Sequence, residues 1–412
     1  MLAYSGAPKP GHLKYLDNQL VGRWLARLER WSLHHRKTIY LATVVLLAGA
    51  IIGTMRLKSV GYIVDDLPKT DRIYADLKWF EQQFRGVMPL EIVVDSKKRK
   101  GLQRDIGGNL RRIDSLVQFL KSKPYVGRTM SITEISKFVR QAFYEGDSSM
   151  YAVPSDYELP ALKDYFAVRK DPSQKGGNTV DKLLRSLVDS SSQKARISAA
   201  MMDVGSARLP LILDSVQARA NEIFDTSKYH VQVTGGSVTF LEGSRFIING
   251  LKESIFWAFL LIALCMLYLF RSGRILLCSL LPNIIPLVIT AGVMGWVGVP
   301  LKPSTVLVFS VTLGIAIDIT IRFLVNYKQQ AGSGLSVEEN VVSSIHSTGL
   351  SIIYTSGVLI AGFIIFCFSG FGGTQSLGWL TSLTLVVATV ANLTLLPALL
   401  LDLTGRKGRR NP

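Results

Sequence analysis

Six apolar stretches, each long enough to cross a bilayer, constrain this chain more than any other feature of its sequence. They cover residues 38–55, 254–270, 275–299, 304–325, 349–371 and 376–401. Each has about the 17 to 25 residues that a helix needs to cross about 30 Å of hydrocarbon. The chain has 412 residues, of which 48% are hydrophobic, which is more than one soluble core needs. We therefore expect an α-helical polytopic membrane protein with six transmembrane helices.

The fourth stretch contains a carboxylate, Asp318, within the sequence TLGIAIDITIRFLVNY at 312–327. An ionised side chain near the bilayer centre costs about 2.5 to 3.5 kcal/mol on insertion scales, and such residues usually serve an ion or proton pathway. Asp318 is accordingly the leading candidate for a functional residue.

The positions of lysine and arginine predict how the six spans are oriented. Basic residues precede the first span, fill the turn between the second and third, follow the fourth and end the chain: Arg23, Arg27, Arg30, Arg36, Lys37, Arg271, Arg274, Lys328, Arg406, Lys407, Arg409 and Arg410. Threading the spans in order brings all of these to one side, so we expect both termini in the cytoplasm. The net charge of +17 follows partly from this bias. Nucleic-acid binding is disfavoured, because the cytoplasmic segments are short and contain no known reading module.

These signals divide the chain into five segments. They are a basic amphipathic cytoplasmic leader at 1–37, the first transmembrane helix at 38–55, an extracytoplasmic domain at 56–253, five transmembrane helices at 254–402 and a basic cytoplasmic tail at 403–412. The helical spacing of apolar residues in the leader predicts that it lies on the membrane surface. The sequence Ala48-Gly49-Ala50 resembles a signal-peptidase site, but the apolar run continues past it, which favours an uncleaved anchor.

The extracytoplasmic segment contains one pattern twice. Strand-like 88–96, helical 103–121 and strand-like 126–132 are followed by strand-like 195–204, helical 209–224 and strand-like 229–234. Two β-α-β units predict a pair of ferredoxin-like folds. All three cysteines fall in the apolar stretches, so no disulfide is expected in this domain. The polar residues 145–194 between the units are either a surface insertion or a docking or lid element.

Six short motifs occur together in one known superfamily. They are Val-Thr-Gly-Gly at 233–236, Phe-Arg-Ser at 270–272, Leu-Pro-Asn-Ile-Ile-Pro at 281–286, Gly-Ile-Ala-Ile-Asp at 314–318, Tyr-Thr-Ser-Gly at 354–357 and Leu-Pro-Ala-Leu-Leu at 396–400. With its motifs in this order, the chain resembles one half of a resistance-nodulation-division (RND) transporter, in particular the MMPL-type exporters. The resemblance implies an α+β porter-like extracytoplasmic domain of ferredoxin-like units. It also implies a carboxy-terminal half that works with a second half, with a homodimer or homo-oligomer as the competing arrangement.

The resemblance further implies that the fourth span couples transport to protons. Gly314 and Asp318 match the G-x-x-x-D motif, in which the acid takes part in coupling. Ile319 stands where many relatives have Asp or Tyr, and Arg322 stands where these exporters often have His. Since residues 318 and 322 are one helical turn apart, Arg322 either pairs with Asp318 and holds it charged, or snorkels to the interface and leaves it free. Snorkelling is favoured, because Arg322 lies about 6 Å nearer the cytoplasmic interface.

Hydroxyl groups on the fifth span are weaker candidates. Thr355 and Ser356 resemble positions near the acid in relatives and could extend a proton relay. Hydrogen bonding to carbonyls of their own helix, or close packing against a neighbour, is the favoured interpretation.

The prolines and glycines of the third span are predicted to have structural roles. Pro282 and Pro286 are expected to open the span, where proline is tolerated. Gly292, Gly295 and Gly298 are expected to permit close contact between helices.

Motifs of soluble enzymes are absent from the sequence: it has no phosphate loop, no metal-ligand spacing and no nucleophile elbow. The resemblance implies a secondary transporter, and we expect it to work without cofactor or metal. It would export lipids or other hydrophobic compounds through the cytoplasmic (inner) membrane, with membrane lipids as neighbours. The energy would come from an ion gradient, which supplies about 2.3 kcal/mol per charge at 100 mV. Two alternatives stay open: a protein-export accessory subunit of the same superfamily, and a non-transporting sterol-sensing-like or scaffold module.

Overall fold

The computed structural model describes residues 19–58, 60–62, 66–166, 179–330 and 336–405. The chain divides into two compact units. Met1–Val60 and Phe246–Pro412 form the first, here called the bundle unit, and Gly61–Arg245 form the second, the sheet unit. The first half of the expected leader and the tail from residue 406 lie outside the described residues.

The regular elements follow one another along the chain as follows: α1 Gln19–His34, α2 Arg36–Met55, α3 Arg72–Phe84, β1 Met88–Asp95, α4 Gly101–Arg104, α5 Ile106–Lys121, β2 Val126–Met130, α6 Ile132–Phe143, α7 Leu159–Phe166, α8 Thr179–Leu187, β3 Lys194–Met201, α9 Gly205–Ile223, β4 His230–Thr234, α10 Gly236–Phe270, α11 Gly273–Val297, α12 Pro303–Gln330, α13 Val337–Ile364 and α14 Gly372–Gly405.

Six of these helices, α2 and α10 to α14, are long and apolar enough to cross a membrane. This confirms the six expected spans. Some helices begin well before their apolar residues, as α10 does at Gly236 and α13 at Val337. A capping box fixes the early start of α13. The Ser336 side chain accepts from the Glu339 N–H, and the Glu339 carboxylate accepts from the Ser336 N–H.

Glycine lets α2 and α11 approach each other closely. A Cβ added at Gly292 would lie 2.4 Å from Ala50 Cα, and one at Gly295 would lie 1.8 Å from the Gly53 carbonyl oxygen. Neither position has room for a side chain, so the expected close contact is confirmed for these two glycines. It is wrong for Gly298, which ends α11 in the left-handed region at φ +80° with open space around it.

Pro282 and Pro286 lie in the interior of α11, where both are buried. The expectation that they open the third span is wrong, because the helix already begins at Gly273. Each proline lacks an N–H and removes one hydrogen bond to the preceding turn. Packing against neighbouring helices must offset that loss.

Contacts at one end of the bundle unit agree with the predicted threading. Arg36 Nη1, at the start of α2, lies 3.0 Å from Asp402 Oδ1 near the end of α14. The Tyr40 hydroxyl donates to the other carboxylate oxygen of Asp402 at 2.8 Å. Lys328, near the end of α12, donates to the Leu269 carbonyl near the end of α10 at 2.5 Å. The side of the membrane on which this end lies stays a prediction.

The four strands of the sheet unit form one antiparallel sheet in the order β2-β3-β1-β4. β1 pairs with β3 along its whole length, and its second half pairs with β4. A strand of each β-α-β unit therefore lies between the two strands of the other. The expected pair of folds is wrong for the described residues. Two strands alone are marginally stable, and each unit supplies the neighbour that the other lacks.

Alternation along the strands directs one face of this sheet into a core. Leu90, Ile92 and Val94 of β1 are fully buried. Helices α5 and α9 contribute further members of the same core, among them Leu116 and Val216.

The described part of the polar segment 145–194 packs on α6. Arg140 Nε of α6 donates to Glu158 Oε1 at 2.9 Å. Burial disfavours the charged carboxylate, but hydrogen bonds from Ser155 and Arg140 outweigh it and lower the pKa of Glu158 to about 2. Apolar residues of α7 and α8 complete the contact in a small cluster with α6: Ile135, Val139, Leu162, Leu184 and Leu187. These contacts favour a packed surface insertion. Residues 167–178 of the segment lie outside the described part of the chain.

Candidate functional site

Asp318 lies on an exposed face of α12. Leu307, Val311, Gly314 and Arg322 share this face at intervals of three or four residues, and all five are exposed. We call these residues the open stripe. The accessible fraction of the Asp318 side chain is 54%. Residues on the other side of the same helix are buried in the bundle, so α12 presents its charged residues outward and its apolar residues inward.

Arg322 pairs with Asp318 along the helix. Its guanidinium Nη2 donates to the carboxylate Oδ2. Snorkelling of Arg322 was favoured from the sequence, whereas the structure shows the paired arrangement. The reason is geometric: Cα–Cβ bonds tilt toward the amino terminus of a helix, so a side chain four residues later leans over the earlier one.

The neighbours of Asp318 separate into the two faces of α12. A Cβ added at Gly314, one turn earlier, would meet no atom within 4 Å. Ile319 is 4% exposed and belongs to an apolar core with Phe323 and Leu324. The position at which the resemblance led us to expect Asp or Tyr therefore faces away from the stripe.

The two predicted relay hydroxyls of α13 behave differently from each other. The Thr355 hydroxyl donates to the Ser351 carbonyl at 2.9 Å, the bonding to its own helix that sequence analysis favoured. The Ser356 hydroxyl is buried and has no hydrogen-bond partner among the described residues. Within the described ranges, no hydrogen bond joins either hydroxyl to Asp318, so this structure does not assemble the three residues into a relay.

A buried polar cluster on the inner face of α12 was missed by sequence reasoning. Thr320 is fully buried, and its hydroxyl lies 2.9 Å from Asn283 Oδ1 of α11 and 2.6 Å from Asn392 Oδ1 of α14. Both asparagines are also almost completely buried. The cluster therefore connects three membrane-spanning helices at one point.

Hydrogen-bond acceptors outnumber donors in this cluster. The Asn283 amide donates to the Ser279 carbonyl at 2.7 Å, and the Asn392 amide donates to the Ala388 carbonyl at 2.9 Å. Both amide oxygens are thereby directed at Thr320, whose hydroxyl has a single proton. That proton can satisfy one amide oxygen at a time.

A second hydroxyl pair lies between α11 and α14. Thr290 Oγ1 and Thr384 Oγ1 are 2.7 Å apart, and both residues are fully buried. The sequence signal for both sites was polar residues within apolar stretches. Of these, Thr320 is on the same helix as Asp318, on its buried face. Among the described residues, no group of three or more His, Cys, Asp or Glu side chains could hold a metal ion.

Comparison with known proteins identifies the family. The MMPL family model matches residues 156–412, which is more than half of the chain. The chain belongs to the MMPL family. The matched region contains all of α10 to α14, and with them the open stripe and the buried Thr320 cluster.

Two relatives of this MMPL-family chain are described, one as a membrane protein and the other as a transporter. One is a membrane protein of Methanocaldococcus jannaschii, 27% identical over 139 residues, which cover 34% of this chain and 36% of the relative. The other is the hopanoid transporter HpnN of Burkholderia multivorans, 28% identical over 143 residues, which cover 34% of this chain and 16% of the relative. The aligned segments thus span well under half of either relative.

Proposed function

We propose that this MMPL-family chain is one half of a secondary transporter that moves lipids or other hydrophobic compounds across or out of the cytoplasmic membrane. The observation that carries the proposal is the carboxylate of Asp318, paired with Arg322 and exposed midway along a membrane-spanning helix. Family membership supports transport. A lipid cargo is supported by the hopanoid in the name of one relative.

Proton binding at Asp318 drives the cycle in this proposal. In this cycle Asp318 is paired with Arg322 in one state and carries a proton in another, in which the two side chains have separated. Thr355 and Ser356 of α13 extend the path after α12 and α13 shift, and the unpaired Ser356 hydroxyl is available for this role. No cofactor or metal takes part.

The proposed setting follows from the charge pattern. The sheet unit is an extracytoplasmic porter-like domain of ferredoxin-like design, supported by its β-α-β-β-α-β order. Both termini lie in the cytoplasm. A second half, or a second copy of the chain, covers the open stripe of α12.

Proton uptake by reconstituted vesicles tests the role of Asp318. Asp318→Asn should abolish substrate-dependent uptake, because the amide cannot carry a proton. Asp402→Asn is the matched control, since it removes a carboxylate of the same bundle unit that is also paired with an arginine. Wild-type uptake in Asp318→Asn would reject proton coupling at this residue.

The ion pair itself favours one alternative, a non-transporting scaffold, since a carboxylate that stays paired does not cycle protons. The two functions differ in their response to Arg322→Ala. In a transporter the substitution should change the pH dependence of uptake, whereas in a scaffold neither the wild type nor the variant takes up protons.

A further inference from the structure

Helix α1 docks on the bundle unit through one face. Leu25 is 5% exposed and packs at Gly349 of α13, where an added Cβ would lie 2.6 Å from Leu25 Cδ1. Ser32 is fully buried, and its hydroxyl lies 2.8 Å from the Leu28 carbonyl of its own helix and 3.3 Å from the Leu393 carbonyl of α14. These contacts hold α1 along two membrane-spanning helices.

The single acidic residue of α1 is engaged by the bundle. Glu29 Oε2 lies 3.0 Å from His346 Nε2 of α13, and 19% of the Glu29 side chain is accessible. Arg23, Arg27 and Arg30 are the fully charged side chains of α1 that remain.

Arginine and tryptophan occupy the faces of α1 that are turned away from the bundle. The three arginines are exposed, as are Trp24 at 61% and Trp31 at 51%. At 3.6 residues per turn, the arginines fall within roughly 60° of one another and the tryptophans within roughly 20°. Arg27 Cζ lies 5.7 Å from the centre of the Trp24 ring. A basic stripe therefore runs beside an aromatic one.

The chain itself places this helix near the membrane surface. α1 ends at His34, and the membrane-spanning α2 begins at Arg36, so only His35 separates them. Tryptophan is enriched at membrane–water interfaces, where its amphipathic ring meets the head groups. Helices with aromatic residues on one face and arginine on another lie in that interface.

We propose that Arg23, Arg27 and Arg30 bind the phosphate groups of anionic phospholipids, with Trp24 and Trp31 inserted beside them in the interface. A guanidinium donates two parallel hydrogen bonds to a phosphate. Glu29 does not compete, because His346 holds it on the docked face. Lipid bound to the exposed stripes holds α1 against α13 and α14, and so ties the packing of these helices to the lipid charge at the surface.

Native mass spectrometry of the full chain, titrated in detergent with phosphatidylglycerol or with phosphatidylcholine, tests the proposal. The wild type should bind phosphatidylglycerol more tightly. R23Q/R27Q/R30Q should lower that affinity about fivefold for each arginine removed, which corresponds to ~1 kcal/mol per cation at an anionic surface. Its affinity for phosphatidylcholine should change much less, because the choline cation of that head group offsets the phosphate charge. R23K/R27K/R30K should keep most of the preference, because the charge is retained.

A charge-matched control separates the site from the net charge. K98Q/R99Q/R104Q removes three positive charges from exposed positions of the sheet unit and should leave lipid affinity unchanged. Single Arg→Gln variants of α1 should show the same trend if the triple variant does not fold. An unchanged lipid preference in the α1 variants, or an equal loss in the control, would overturn the proposal. Neither result bears on proton uptake at Asp318.

Discussion

Asp318 and Arg322 form an ion pair on a helix face that the described chain leaves uncovered. A single charge at such a depth costs about 2.5 to 3.5 kcal/mol. Pairing reduces that cost, because each group receives a hydrogen-bonding partner of opposite charge. The pair thus has two separable consequences, one for membrane insertion and one for proton coupling.

A double substitution should separate these consequences. Asp318→Asn and Arg322→Gln each leave one unpaired charge, so each should lower the yield of folded protein. D318N/R322Q removes both charges and should restore the yield while proton uptake stays lost. Fluorescence-detected size-exclusion chromatography measures the yield, and vesicle assays measure uptake. Single variants that fold as well as the double variant would show that the pair does not stabilise the fold.

Thr320 should matter for stability although it is uncharged. Thr320→Val removes the one proton shared by two buried amide oxygens, and a hydrogen bond between membrane helices contributes on average about 0.6 kcal/mol, with a maximum near 1.7. We expect a loss near the upper value, because the side chain at this position can then satisfy neither of the two buried amide oxygens. Thr389→Val is the control, since the Thr389 hydroxyl donates only to the Leu385 carbonyl of its own helix. Unfolding in mixed micelles of increasing denaturing-detergent content measures the difference, and equal losses in the two variants would contradict this role.

Among the elements, α2 and α11 depend on glycine for their contact. Gly292→Ala places a Cβ 2.4 Å from Ala50 Cα. Because backbone cannot yield as a side-chain end can, the helices must separate, and overpacking of this kind costs about 1 to 3 kcal/mol. Gly49→Ala, also on α2, meets no atom within 4 Å and should be neutral or slightly stabilising. Thermal unfolding of both variants in detergent checks the contrast. A destabilised Gly49→Ala with an unaffected Gly292→Ala would refute the close contact.

The sequence predicted which helices and strands form. It predicted less well where they begin and end and which elements they contact. Apolar length predicted all six spans, since bilayer thickness fixes it. It did not place Pro282 and Pro286 correctly within the third span, because proline is compatible with either a helix start or a buried interior. The residue pattern predicted all four strands, but a pattern within one strand does not specify which strand lies beside it. The two β-α-β units therefore looked like two folds and form one sheet.

Only the charged residues of the candidate site were predicted from the sequence. Asp318 is conspicuous because a carboxylate in an apolar run is costly. Thr320 and Asn392 are not, because a single hydroxyl or amide in a span is common and gains meaning only when other helices bring partners to it. The pairing of Arg322 depended on the direction of side chains along the helix, which residue spacing alone does not distinguish from snorkelling.

For the whole molecule, the open stripe of α12 bears on whether the chain assembles with further protein. It exposes a charged pair beside Gly314 and two large apolar side chains on a helix long enough to cross a membrane. The chain also spans well under half of the relatives that it matches. The exposed pair supports the proposal that further protein covers the stripe in the working unit.

A substitution that fills the stripe should block assembly without harming the fold. Gly314→Leu adds a side chain where an added Cβ meets no atom within 4 Å. The isolated chain should therefore keep its unfolding temperature, while the added bulk prevents a second half or copy from packing there, and transport should be lost. Gly250→Leu, at another open position, is the control and should retain both assembly and transport. Native mass measurement in mild detergent reports the assembly, and vesicle assays report transport. A monomer of wild-type activity, or a Gly314→Leu variant that assembles and transports normally, would show that the stripe faces lipid and that one chain suffices.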